Sequence, residues 1–323
     1  MVQELINAGA LIADPPRVAN ALAVACQGHR HSIIEFLLEE LSGTDKEEST
    51  CSDALFAASS SHDDEILLFL LEHRVSVSPS LLSQAYAAGL LGSVCMLLEY
   101  GVDINSDDGE GGHALHAATC HQRSHVVQLL IDHGADVHLE SAKYGSPLLA
   151  ALEGCMAPKF RSWARAEPAK SLAKALPLPA PLFDFYSRFY RTSGSRLGYK
   201  DFAECERIVR ILVDHGAEIN TSPGRFGNAL HLASFVGSEV IVRLLLDKVA
   251  NVNATGGYFE IALLSALEGN HPAIPELILI RGINFNHSLF DNGTVLQYAR
   301  LKQSKAIVRT LLKYGADVNE QGG

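Results

Sequence analysis

The feature that most constrains this chain is a phrase that returns at a fixed interval. It reads Leu97-Leu98-Glu99-Tyr100-Gly101-Val102-Asp103-Ile104-Asn105, then Leu130-Ile131-Asp132-His133-Gly134-Ala135-Asp136-Val137-His138. It comes back as Val213-Asp214-His215-Gly216-Ala217-Glu218-Ile219-Asn220 and again as Leu312-Lys313-Tyr314-Gly315-Ala316-Asp317-Val318-Asn319. The steps from Gly101 to Gly134, Gly216 to Val249, Val249 to Gly282 and Gly282 to Gly315 are all equal. Self-similarity at such a period marks stacked supersecondary units, each too small to bury its own apolar face.

A second phrase lies upstream of these landmarks at a constant distance, as His113-Ala114-Leu115-His116-Ala117-Ala118 and Asn228-Ala229-Leu230-His231-Leu232-Ala233. Weaker copies are Asn20-Ala21-Leu22, Asp53-Ala54-Leu55, Ser146-Pro147-Leu148, Ile261-Ala262-Leu263 and Thr294-Val295-Leu296. Small residues such as Ala117, Ala118, Ala229 and Ala233 allow helices to pack closely. Ile241, Leu244 and Leu245 at three- and four-residue spacing predict an amphipathic second helix. Glycine after that helix is a left-handed stop.

The upstream phrase resembles the Thr-Pro-Leu-His-x-Ala motif of the ankyrin-repeat family. The resemblance implies an all-α ankyrin solenoid of stacked helix-turn-helix units with β-hairpin fingers. Inner-helix phrases near 20, 53, 80, 113, 146, 228, 261 and 294 give eight repeats, and Val2 to Ala13 resembles the tail of a ninth. The turns Asn253 to Phe259 and Arg225 to Leu230 resemble those of fungal-type arrays. In the family, fingers and inner helices line a concave groove. That places candidate partner contacts at Asp107, Asp108, Glu110, Tyr144, Arg225, Phe226, Tyr258 and Phe259. For Tyr144, Phe226 and Phe259, two residues before the inner-helix phrase, local turn packing is the competing role.

Leu41, Arg74 and Val249 stand where the pattern has glycine. A β-branched residue is strained in the left-handed region, so altered turns are expected there. Gly101 follows Arg74 by less than a full period, which predicts a shortened finger around residues 75–79.

The fifth repeat holds the largest departure. The step from Gly134 to Gly216 spans more than two periods where one is expected. The surplus falls at Met156 to Glu204, dividing the chain into repeats at 1–155, an insertion at 156–204 and repeats at 205–323. The insertion carries nine of the chain's 23 aromatic residues and nine Lys or Arg against four Asp or Glu. A long non-repeat segment of this kind is usually functional or disordered. Trp163, Phe183, Phe185, Tyr186, Phe189 and Tyr190 are its candidate contacts, either gripping a ligand or anchoring the insert.

The chain's net charge is -11. That disfavours nucleic acid and suits a basic or extended protein segment. No catalytic signature is present: there is no G-x-S-x-G, Walker-type loop or H-E-x-x-H. The expected function is therefore a protein-interaction scaffold using the concave surface, with no cofactor and no metal. The alternative is a small-molecule-binding protein or enzyme whose pocket the insertion closes. His113, His116, His121, Glu153 and Asp184 would then be its acid-base candidates. Six cysteines without C-x-x-C pairs read as thiols in a reducing, cytoplasmic or otherwise intracellular setting. No apolar run approaches membrane-spanning length, and the N-terminus lacks a secretory pattern.

Overall fold

A computed structural model describes residues 15–41, 54–59, 64–72, 85–86, 90–107, 112–156, 202–221, 226–257, 260–286 and 293–319. It divides into two compact units, Met1–Lys143 and Tyr144–Gly323.

In the first unit, α1 (Pro15–Gln27) pairs with α2 (His31–Leu41). A helical stretch at 54–59 precedes α3 (Asp64–Glu72). Then come α4 (Leu91–Glu99), α5 (Ala114–Cys120) and α6 (Ser124–Asp132). The second unit runs α7 (Pro147–Cys155), α8 (Phe202–Asp214), α9 (Ala229–Val236) and α10 (Glu239–Asp247). It ends with α11 (Ala262–Glu268), α12 (Ile274–Leu279), α13 (Val295–Leu301) and α14 (Lys305–Lys313). The outer helix α8 begins at Phe202, so it takes in the end of the segment assigned to the insertion.

The two helices of each repeat bury different amounts because their sequences differ. The first helix is nearly all apolar and small: every residue of α5, and all of α9 but Val236, is buried. The second is amphipathic. In α10, Ile241, Val242, Leu245 and Leu246 form the buried stripe, while Glu239, Arg243 and Asp247 face water. Side chains also start the helices. Asn228 Oδ1 accepts from His231 N–H at 3.0 Å, and Ser238 Oγ accepts from Ile241 N–H at 3.2 Å.

Left-handed residues end both helices of a repeat. His29, Gln122, Gly237, Asn270 and Gln303 take positive φ at the inner-to-outer turn. Gly101, Gly134, Gly216, Val249, Gly282 and Gly315 do so after the outer helix. The altered turn expected at Val249 is absent: Val249 itself adopts φ 64°. Its side chain is 79% exposed, so it meets no steric obstacle beyond its own backbone. Leu41 is the last residue of α2, and Arg74 and the shortened finger lie outside the described residues.

Of the expected β-hairpin fingers, the tips at 108–111, 222–225, 258–259 and 287–292 lie outside the described residues. Among the described residues there is no extended strand, but Asp107 and His113 form an antiparallel bridge, and Ser141, Gly145 and Gly227 are bridge residues too. Polar side chains also hold the finger bases. Also among the described residues, no helix is long and apolar enough to cross a membrane.

Candidate protein-interaction surface

The fingers are tied to one another by asparagines at the end of the recurring phrase. Asn105 Nδ2 donates to Gly134 O at 3.3 Å, and its Oδ1 accepts from Asp136 N–H at 2.9 Å. Asn220 does the same to Val249 O and Asn251 N–H, at 3.1 and 2.8 Å. Asn253 accepts from Asn284 N–H at 2.8 Å. Asn286 donates to Gly315 O at 2.8 Å and accepts from Asp317 N–H at 3.2 Å. Each amide thus fastens one repeat's finger base to the next. Their roles were not assigned from sequence, although their recurrence in the phrase was the signal.

The aspartates before them have a local task as well. Asp103, Asp136 and Asp317 accept from the backbone N–H two residues on, at 2.8–2.9 Å, and are exposed. Such turns fix the finger while keeping the charge in water.

His231 joins an inner helix to the following finger. Its Nδ1 accepts from Asn228 N–H at 3.0 Å, so Nε2 carries the proton and donates to Ala254 O at 3.1 Å. Burial pushes its pKa down to about 4. His271 makes a related bond, donating from Nε2 to Phe235 O at 3.1 Å; burial lowers its pKa too. Adjacent fingers also approach closely at Gly257, where a Cβ would collide with the Gly227 backbone.

Repeat arithmetic aligns Glu153, Phe235, Glu268 and Leu301 at the end of successive inner helices. Glu153 and Phe235 are 7% and 8% exposed, and Leu301 is 73% exposed. Glu268 pairs with Lys302 at 3.1 Å. Burial nevertheless raises its pKa, outweighing the lysine's opposite pull. On the outer helices, Lys248–Asp214, Arg281–Asp247 and Lys313–Glu276 link neighbouring repeats at 3.6, 2.7 and 2.7 Å. These pairs are exposed and each contributes little.

Of the candidate partner contacts, Asp107 is exposed and Tyr144 half-buried. Phe226 is 3% exposed, so its ring packs the turn rather than facing a partner. Asp108, Glu110, Arg225, Tyr258 and Phe259 lie outside the described residues, as do Asp184, Trp163, Phe183, Phe185, Tyr186, Phe189 and Tyr190. The acid-base candidates of the alternative reading have structural surroundings. His116 is fully buried within α5, with the half-buried His113 ring 5.3 Å away. His121 Nδ1 donates to Ala117 O at 2.9 Å, closing the helix end. Glu153 is buried in the last turn of α7.

The expectation of six thiols does not hold: Cys155 and Cys205 form a disulfide. Cys26, Cys95 and Cys120 remain thiols, and Cys51 lies outside the described residues.

A family model of three ankyrin repeats matches residues 82–157, and a single-repeat model matches residues 228–257. An ankyrin repeat domain from Acinetobacter baumannii is similar at 25% identity and TM-score 0.51, over 73% of this chain and 98% of that one. The chain is an ankyrin-repeat protein. The ankyrin domain of Bcl-3, described as a unique member of the IkappaB protein family, aligns at 19% identity and TM-score 0.51. That alignment covers 75% of this chain and 88% of Bcl-3's domain. The human ASB11 ankyrin domain aligns at 19% identity and TM-score 0.52, over 75% of this chain and 86% of that chain. No curated protein matches the sequence. In ankyrin terms, His231 occupies the motif's histidine position, and the Asn clamps hold the finger bases that follow α4, α8, α10 and α12.

Proposed function

We propose that this ankyrin array is a protein-interaction module that binds a basic or extended segment along its fingers and inner helices. The observation that carries the reading is the run of Asn220, Asn253 and Asn286 clamps, which holds successive fingers in a fixed register before any partner arrives. A preorganised surface avoids part of the ordering cost of association. The acidic balance supports the choice of a basic segment: the chain is at -11, and exposed Asp103, Asp107 and Asp136 lie along the fingers of the first unit. The ankyrin fold supports the general role, since stacked repeats supply extended binding surface.

The reading treats 156–204 as a separate insertion flanked by two blocks of repeats. Affinity capture compares wild type with a variant carrying Asp107→Ala, Tyr144→Ala and Tyr258→Ala, both shown folded by circular dichroism. The expected result is a protein retained by wild type, released by moderate salt and lost from the variant. Equal retention by both chains removes the finger surface from consideration.

A further inference from the structure

The disulfide occupies a special place in the repeat arithmetic. Cys155 lies one full period after Gln122, and as far before Gly237 as Gly134 lies before Gly216. Gln122 and Gly237 are both left-handed residues of the inner-to-outer turn. Cys205 lies one full period before Ser238, the residue that follows Gly237 and caps α10. In an uninterrupted repeat, the positions held by Cys155 and Cys205 would be consecutive residues joined by a peptide bond. Here the insertion at 156–204 separates them, and the disulfide rejoins them with their Cα atoms 6.5 Å apart. Consecutive Cα atoms across a trans peptide are about 3.8 Å apart. The bridge thus stands in for the lost link between α7 and α8.

We propose that the Cys155–Cys205 bond is a reversible redox staple of the fifth repeat, opened by dithiol reductants through attack at Cys155. Three observations carry this beyond a fixed structural crosslink. First, the sulfurs differ in access: Cys155 is half-buried, whereas Cys205 is 1% exposed. Second, the reduced pair finds an acceptor already in place. Ala151 O lies 3.4 Å from Cys155 Sγ and 3.8 Å from Cys205 Sγ, so a carbonyl acceptor is beside both sulfurs when the bond opens and they move apart. Third, α8 does not depend on the bridge alone. Ile208, Val209 and Leu212 are fully buried and keep it in the core after reduction.

The exchange is a two-electron transfer. A thiolate of the reductant bonds to Cys155 Sγ, the Sγ–Sγ bond breaks, and its electron pair leaves on Cys205 Sγ, which takes a proton. The reductant's second thiol then displaces Cys155 Sγ, which is protonated in turn, and the reductant departs as a disulfide. Closing the loop constrains the unfolded chain, so the oxidised form is the more stable one.

The test is a titration of the purified full chain in glutathione buffers and then dithiothreitol, without denaturant. Thiols are alkylated and mapped by mass spectrometry, and a melt is recorded at each step. The expected result is a linked Cys155–Cys205 peptide pair that opens and reforms reversibly. The melting midpoint should fall by roughly 5–15 °C on reduction. A Cys155→Ser, Cys205→Ser double variant should melt like the reduced protein, with no redox dependence. Three results overturn the proposal: thiols at every step, a bond that resists dithiothreitol in the folded protein, or equal melting of the two forms.

Discussion

His231 donates through Nε2 to Ala254 O at 3.1 Å, fastening an inner helix to the next finger, while its Nδ1 accepts from Asn228 N–H at 3.0 Å, a bond that exists only while Nδ1 is unprotonated. Its pKa falls from the ordinary 6.5 to about 4 because burial penalises the charged form. The unfolded chain therefore binds the proton first on acidification. The stabilisation is whole above pH 6.5 and is lost as pH falls from there toward 4. That loss amounts to about 3 kcal/mol. His271 adds a loss of the same sign. Urea unfolding of wild type and His231→Gln at pH 7.5, 6 and 5 measures it. The variant should be weaker by about 1–3 kcal/mol at pH 7.5 but fall less steeply. Parallel curves for the two chains would remove His231 as the source.

Val249 sits at φ 64° where the other described repeats of this pattern use glycine. Its carbonyl is held by Asn220 Nδ2 at 3.1 Å, so the surrounding clamp imposes the conformation. Left-handed backbone costs an L-residue roughly 1–2 kcal/mol, and glycine's freedom in the unfolded chain cancels part of the relief. Val249→Gly should stabilise the protein by about 1 kcal/mol, read as a higher denaturation midpoint at unchanged slope. The reciprocal Gly282→Val should destabilise it by a similar amount. Loss of stability in Val249→Gly would show that the valine is not strained.

Most of the fold is legible in the sequence because repeats repeat their physics. The Gly101-to-Gly134 spacing and the Ala-Leu-His phrase mark two helices and two turns per unit. The errors come from places where neighbours override a local rule. Val249 reads as a turn breaker, yet Asn220 secures the turn. The fingers pair at their bases, as in the Asp107–His113 bridge, and asparagine side chains brace one finger against the next, a tertiary role that no local rule assigns. Phe226 reads either as a partner contact or as turn packing, and its burial favours the second. Cys155 and Cys205 look unrelated at a sequence separation of 50. They become neighbours once the insertion is recognised as falling between two consecutive repeat positions.

Asn286 bridges the last two finger bases by contacting Gly315 O and Asp317 N–H. Both bonds are exposed, so Asn286→Ala should cost only about 1–2 kcal/mol. In a solenoid that cost stays local. Hydrogen exchange should accelerate roughly tenfold at amides 315–319, with little change in α9 and α10. Uniform acceleration across the second unit would instead make Asn286 a global stabiliser.

Glu268 and Lys302 are both mostly buried, with side chains 18% and 17% exposed, and removing either partner should have unequal effects. Lys302→Met leaves a carboxylate in a site where burial already raises its pKa. The variant should lose about 2 kcal/mol near pH 7. Glu268→Gln keeps a hydrogen-bonding group and leaves a lysine whose long stem can carry its charge to water, so the loss should stay below about 1 kcal/mol. Acid separates the cases further. A carboxyl with a raised folded pKa takes up its proton earlier in the folded state, so the Lys302→Met deficit should shrink as pH falls through that value. The Glu268→Gln deficit has no such relief, because glutamine does not titrate. Chemical denaturation of both variants at pH 7 and pH 5 reads the contrast. A Lys302→Met deficit that stays constant with pH would mean that packing of the lysine stem, rather than the stranded carboxylate, accounts for the loss.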